Sequence, residues 1–368
     1  MIKKYLISTL FLFSLFFAGN FVLAQNQNLN LENLPKKLLN IKVPGAPKGA
    51  IFSPDGKEIW VTSLSNKKQG VSVFDSITGK KITSFNLNNY PAVEVVFNKD
   101  GTRVYASQME TAKVFEIDAI NKKALRSFKT GGNWTKVVEL SPDGKKLYAS
   151  NWISNNVSEI DLGTGKLIRK ISTVKTPRGL YITKDGNFLY VAGFDKGQIQ
   201  KINLITGVKK IIYSGGYAMR HFVVDEDKGV LFVSDMGRNA IYKVNLKDDS
   251  VIKFASTESH PNTIALSPDK KILYVSCRGH NFSSTNYYVP GPDWGTVELF
   301  DTETGKLLDV IIGGNQPTAL AVSPDGKTMV FSDFLDSRLQ VYQIPTYEQI
   351  KSTNGGRSQT YKSLIKKK

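Results

Sequence analysis

The chain predicts an all-β fold, a seven-bladed β-propeller of four-stranded antiparallel blades, and three observations carry that expectation. A strand-turn-strand motif recurs seven times. Its turn aspartates, Asp55, Asp100, Asp143, Asp185, Asp227, Asp269 and Asp325, stand 45, 43, 42, 42, 42 and 56 residues apart. The flanking segments alternate apolar and small residues, as in Ala319-Leu320-Ala321-Val322 and Leu147-Tyr148-Ala149-Ser150, which suits half-buried strands. A period of this length built from short strands fits blades that bury their faces against one another.

Within a repeat the elements follow in order. The first strand, Pro47-Lys48-Gly49-Ala50-Ile51-Phe52, enters the turn Ser53-Pro54-Asp55-Gly56, and Lys57 to Ser63 follows as the second strand. Proline presets the turn, aspartate bonds its own downstream backbone, and glycine tolerates a positive φ. A third strand, Val71-Ser72-Val73-Phe74-Asp75, leads through Thr78-Gly79-Lys80 to a fourth, Lys81 to Phe85. Blade seven supplies three strands between Thr318 and Ile344 before Pro345 interrupts it. Lys37 to Val43 matches the fourth strand of other blades, so the amino-terminal strand is expected to complete the last blade and remove the open edge; Thr346 to Ile350 competes for that place.

The chain divides into four segments. Residues 1–24 read as a secretory signal peptide, with Lys3 and Lys4 before an apolar stretch from Leu6 to Leu23 and a small-residue cleavage pattern at Val22-Leu23-Ala24. Residues 25–35 read as a polar linker, 36–350 as the propeller, and 351–368 as a basic, disordered tail. No transmembrane span is expected in the mature chain. Cys277 is the only cysteine, so an exported ring must hold without an internal disulfide. Of the formal charge of +17, two units sit on Lys3 and Lys4 and a net five lie beyond Thr346, which leaves the ring about +10. That balance favours an anionic ligand or an envelope or host macromolecule, and admits nucleic acid.

The strings Leu147-Tyr148-Ala149-Ser150-Asn151, Leu189-Tyr190-Val191-Ala192 and Leu273-Tyr274-Val275-Ser276 resemble the bacterial YVTN-type β-propeller repeat, as do Glu159 to Lys166 and Leu299 to Lys306. The resemblance implies an exported protein related to lactonase-like and surface-layer propellers. Relatives include lactone hydrolases, haem- or quinone-dependent enzymes and periplasmic proteins that bind single-stranded DNA. Repeat motifs of this kind specify blades and do not choose among activities.

Function is therefore sought where the chain departs from its repeat. Seven residues before each turn aspartate stand Lys48, Val93, Lys136, Arg178, Arg220, Asn262 and Thr318, four basic and none acidic. They begin the innermost strands, so Lys48, Lys136, Arg178 and Arg220 are expected to converge on the mouth of the central channel as a ligand-binding ring, with Glu94 as a candidate partner. Tyr90, Trp134 and Tyr217 before first strands, and Trp152, Phe194 and Phe334 after second strands, map to the same face. So does the blade-six insertion from Arg278 to Gly295, which carries Tyr287 and Trp294. His221, His260 and His280 also map there, with Cys277 beside them, and offer a metal site without any short-range ligand spacing; no cofactor is expected.

The absence of a catalytic signature points to a binding or scaffold protein of the envelope or cell surface, a single ring expected to be monomeric, acting through its top face or its tail. Two alternatives stand beside it. A lactonase-like or metal-dependent hydrolase would use Arg178 and Arg220 to hold an oxyanion, with Glu94 or a histidine as base. Single-stranded nucleic-acid binding would use the basic, aromatic face.

Overall fold

Six of the seven hairpins close on their own aspartate. Ser53 Oγ and the Lys57 amide donate to Asp55 Oδ1 at 2.6 and 3.1 Å. The pattern returns at Ser141 and Asp143 (2.5 Å), Thr183 and Asp185 (2.5 Å), Ser267 and Asp269 (2.5 Å), and Ser323 and Asp325 (2.6 Å). Gly56 takes the left-handed conformation, φ 74°, that the turn requires.

These hairpins build seven four-stranded antiparallel sheets in the computed structural model, which describes residues 31–280 and 288–367. Six sheets run in chain order; the seventh joins Lys36–Lys42 to Arg338–Gln343, Thr328–Asp333 and Pro317–Val322. The register of its closing pair runs from Lys36 opposite Gln343 to Lys42 opposite Arg338. First strands of successive blades touch one another around the ring and form its inner wall.

The cores lie between blades. Trp60, Val73 and Phe85 of blade one pack with Val95, Val104 and Phe115 of blade two. Ile41, Val330 and Leu339 of the closing blade pack with Phe52, Ile59 and Phe74 of blade one. Burial of this kind, at roughly 25 cal/mol per Å² of apolar surface, holds the ring without a disulfide. Among the described residues no helix is long and apolar enough to cross a membrane.

The carboxy-terminal segment departs from expectation. Thr346 to Ile350 forms no strand: Tyr347–Ser352 is a short helix, with Thr346 as N-cap in a capping box with Gln349. The stretch read as a disordered tail is instead docked on blade six. Arg357 pairs with the fully buried Asp309, Tyr361 Oη donates to Glu258 Oε1 at 2.6 Å, and Tyr361 and Ile365 join Val310 in a small core. Its lysines are engaged as well: Lys362 bridges Glu258, Lys366 bridges Asp293 at 3.0 Å, and Lys367 stands 4.5 Å over the Trp294 ring. Composition suggested disorder because the few apolar residues are sparse. Two of them, Tyr361 and Ile365, and the ion pair on the buried Asp309 anchor the segment. The linker is held too where it is described, since Leu34 is 2 % exposed. Residues 1–30, which include the predicted signal peptide, lie outside the described residues.

Candidate functional site

A hoop of hydroxyl groups sets the geometry of the channel mouth. Seven residues after the turn aspartate, on each second strand, stands Thr62, Ser107, Ser150, Ala192, Ser234, Ser276 or Ser332. The Ser150 hydroxyl accepts from the Val137 amide of its own blade at 3.0 Å and donates to the Arg178 carbonyl of the next at 3.2 Å. Thr62 reaches the Val93 carbonyl (2.8 Å), Ser107 that of Lys136 (2.6 Å), Ser234 that of Asn262 (2.9 Å) and Ser276 that of Thr318 (3.1 Å) in the same way. Ser332 continues the pattern on the Pro47 carbonyl at 3.1 Å, while Ala192 supplies no hydroxyl toward Arg220. Each bond contributes about 1 kcal/mol. These bonds fix the inner-strand backbone at Lys136 and Arg178 and beside Lys48.

Those residues converge as expected. Lys48, Lys136, Arg178 and Arg220 line one cavity of about 460 Å³, joined by Arg278 from the blade-six insertion. Its walls are apolar: Leu64, Met109, Trp152, Phe194 and Met236, with Trp134 and Tyr288 at the rim. The wall has a simple origin in the repeat. Nine residues after each turn aspartate stand Leu64, Met109, Trp152, Phe194, Met236, Arg278 and Phe334, and the amides of Leu64, Trp152, Phe194, Met236, Arg278 and Phe334 bond back to the loop before the first strand at 2.9–3.1 Å. The first station thus supplies four cations, and the second the apolar collar together with Arg278. The sequence reading found the first and, of the second, Trp152, Phe194, Phe334 and Arg278; it missed Leu64, Met109 and Met236 because it searched for aromatic residues and not for the repeat position that carries them.

The cations crowd one another. Burial, and then the charges of Arg220, Arg278, Arg178 and Lys136, push the Lys48 ammonium well below its ordinary value. Burial, followed by Arg178 and Arg220, lowers Lys136 to about 7. Lys136 also lies between two indoles, 5.0 Å from the Trp134 centroid and 5.2 Å from that of Trp152. Trp152 in turn contacts Phe194, centroid to centroid 4.8 Å. Phe334 is fully buried, with Lys48 at 5.4 Å and Arg278 at 5.6 Å from its ring. Tyr288 stacks on it at 5.8 Å.

One acid tempers the ring. Burial raises the Glu94 carboxyl, and Arg178, Lys48 and Arg220 oppose that rise. Its Oε1 occupies the space above Gly49, where an added Cβ would come within 2.8 Å. Glycine beside Lys48 is what admits the carboxylate.

Other predicted residues fall elsewhere. Tyr217 is 65 % exposed and lies over Gly237, outside the cavity lining. Trp294 bonds through its amide to the Ile365 carbonyl at 2.8 Å and serves the docked tail. Tyr287 lies outside the described residues. The three histidines do not assemble. His221 sits on the inner strand, lowered to about 3 by burial and by Arg178 and Arg220. His260 Nδ1 meets the Gly279 carbonyl at 2.9 Å, and His280 Nδ1 meets Asp293 at 2.7 Å. Cys277 is buried against Glu298, 3.6 Å away. Among the described residues no three His, Cys, Asp or Glu side chains are grouped to hold a metal, which corrects the metal-site expectation. His221 belongs to blade five and His260 and His280 to blade six, and the latter two side chains turn to different partners.

Comparison with known proteins agrees with the architecture. The family model described as Lactonase, 7-bladed beta-propeller matches residues 50–207, which span most of the first four blades. Over those blades the chain is similar to that family, and the whole ring shares its seven-bladed architecture. A chain of hydrazine synthase from Kuenenia stuttgartiensis superposes with a TM-score of 0.69, covering 83 % of this chain and 96 % of that one at 20 % identity, a likeness of fold. Antigen Lp49 of Leptospira interrogans serogroup Icterohaemorrhagiae serovar copenhageni (strain Fiocruz L1-130) is 47 % identical over 97 residues, 26 % of this chain. The match spans about a fifth, 21 %, of that relative's length.

Proposed function

We propose that the protein is an exported propeller that holds an anionic ligand in its cationic cup, as a binding or scaffold protein of the cell envelope or surface. The observation that carries the reading is the convergence of Lys48, Lys136, Arg178, Arg220 and Arg278, from five blades, in one apolar-walled cavity. Gathering like charges in a partly dehydrated site costs stability, and an anion offsets that cost more strongly there than on an open surface. The basic leader followed by an apolar stretch, and a partial relative named as an antigen, support export to the envelope or beyond.

The docked lysines of the tail make the cup, and not a free basic arm, the favoured site. Thermal unfolding of the mature chain with rising inorganic phosphate or citrate tests this. The midpoint rises with anion concentration in the wild type and not in an Arg178→Gln, Arg220→Gln variant. A midpoint that no anion moves overturns the reading.

Hydrolysis is the second reading, favoured by the family match over residues 50–207 and by Glu94 beside Arg178. A lactone-opening activity lost in Glu94→Gln, with anion binding retained, would establish it.

A further inference from the structure

The cup carries one amine placed to react as well as to bind. Lys136 stands on the inner strand of blade three, where its carbonyl accepts from the Ser107 hydroxyl at 2.6 Å and the next amide, that of Val137, donates to Ser150 at 3.0 Å. The residue is half-buried and lines the cavity of about 460 Å³. Its ammonium donates to Met109 Sδ at 2.7 Å, a weak acceptor, and stands 5.0 and 5.2 Å from the Trp134 and Trp152 centroids. Arg178 and Arg220, from the next two blades, line the same cavity and add like charge to the effect of burial, with Glu110 as the opposing and smaller influence. Lys48, in the same cavity, feels Lys136 in turn. At pH 7 about half of such an amine holds a free electron pair, against roughly one in a few thousand for an ordinary lysine.

The indole at the rim is a choice that the fold does not demand. Nine residues before their turn aspartates, Ala46, Trp134, Thr176, His260 and Gln316 all take the left-handed conformation, at φ 47–61°. A loop that accepts alanine in one blade and threonine in another has no need of tryptophan, and a bulky side chain held there is strained, at about 1–3 kcal/mol. What sets blade three apart is the contact of that indole with the Lys136 amine. With Trp152 and Phe194, whose centroids lie 4.8 Å apart, it frames the amine with flat apolar faces, which suit a ring in offset or edge contact. A neutral lysine amine in such a site takes a carbonyl carbon as its partner.

We propose that Lys136 captures a small aromatic aldehyde as an imine, the ring of the aldehyde lying against Trp152 and Phe194. The nitrogen electron pair attacks the carbonyl carbon, and a C–N bond forms while the carbonyl π pair moves to oxygen. That oxygen takes a proton from the nitrogen to give a carbinolamine, and loss of the hydroxyl with the second nitrogen proton, as water, leaves the C=N bond. One aldehyde and one amine thus give one imine and one water, with no oxidant or reductant. The charge that develops on oxygen lies in the field of Arg178 and Arg220, which favours it. The step goes beyond anion binding and needs no anion in the cup.

Reductive trapping of the mature protein at about pH 7 with sodium cyanoborohydride tests this. Benzaldehyde and propanal are the probes, and peptide mass mapping locates the label. Benzaldehyde modifies Lys136 about tenfold or more faster than any other lysine, and faster than propanal does. Lys136→Met, checked for an unaltered melting profile, loses that label and keeps the slow labelling of the surface lysines. Trp152→Leu removes the advantage of benzaldehyde over propanal. Competitive labelling with dinitrofluorobenzene, whose rate follows the free electron pair, gives Lys136 a midpoint at about pH 7. Benzyl groups spread evenly over the lysines overturn the proposal, and so does a Lys136 midpoint at the ordinary lysine value of about 10.4. Equal trapping of the two aldehydes at Lys136 overturns the aromatic class. The melting test with phosphate is read separately, so the anion site can fail while the label on Lys136 stands, and the reverse.

Discussion

The two rims of the ring handle charge in opposite ways. On the lower rim Asp55, Asp100, Asp143, Asp185, Asp269 and Asp325 are met at once by their own neighbours. The Ser141 hydroxyl and the Lys145 amide bond Asp143, and those bonds hold its carboxyl below the ordinary aspartate value of 3.8. On the upper rim burial, and then the like charges of Arg178 and Arg220, bring Lys136 from 10.5 to about 7, and burial with the charges of the other cations brings Lys48 well below its ordinary value. A charge satisfied locally belongs to the fold. Like charges gathered in one cavity cost stability that an anion from outside offsets.

Breaking the upper rim gives the largest effect. Arg178→Gln with Arg220→Gln lowers anion affinity about 100-fold, read by calorimetry, without lowering the melting temperature, because the substitution also relieves repulsion. Acidity comes next. A bound anion favours charged Lys136, so affinity rises about tenfold from about pH 8 to about pH 6, and Lys136→Met flattens that slope. Without ligand the same group acts in reverse. Because its folded value lies below its unfolded one, the native state binds fewer protons between about 7 and 10.5, and stability climbs with pH across that window.

The hoop joins the two behaviours and shows a smaller effect. Ser150→Ala leaves the Arg178 carbonyl and the Val137 amide without that partner and costs about 1–2 kcal/mol in chemical denaturation, with weakened anion binding. The smallest change is expected on the lower rim. Asp143→Ala lowers the melting temperature slightly and leaves affinity untouched. Its contribution is present above the ordinary aspartate value and lost as pH falls through the depressed one, so wild type and variant converge in acid.

Much of this was legible in the chain. The aspartate ruler gave seven blades, and the likeness of Lys37 to Val43 to other fourth strands gave the closure that the pairing of Lys36–Lys42 with Arg338–Gln343 bears out. Counting back from the ruler found four of the five cations, since a repeat carries each copy of a position to the same height. Counting forward would have found Leu64, Met109 and Met236. Arg278 stands at that forward station, and it was read as a top-face residue of the insertion and not as a fifth member of the cationic ring. The tail was misread for a different reason. Its order depends on Asp309 and Glu258, partners about 50 and 100 residues away, which no local pattern reveals. The histidines failed as a group because a shared face does not imply shared partners: His260 turns to the Gly279 carbonyl and His280 to Asp293.

The most direct test of the contrast between the rims is the proton count on binding. Anion titrations near pH 7 in two buffers of different ionisation enthalpy give it from the difference in measured heat. Net proton uptake, diminished in Lys136→Met, is the result predicted for cations that recover their charge when the anion arrives. Binding with no uptake, or with uptake that the variant leaves unchanged, would contradict a cup whose charge is completed by its ligand.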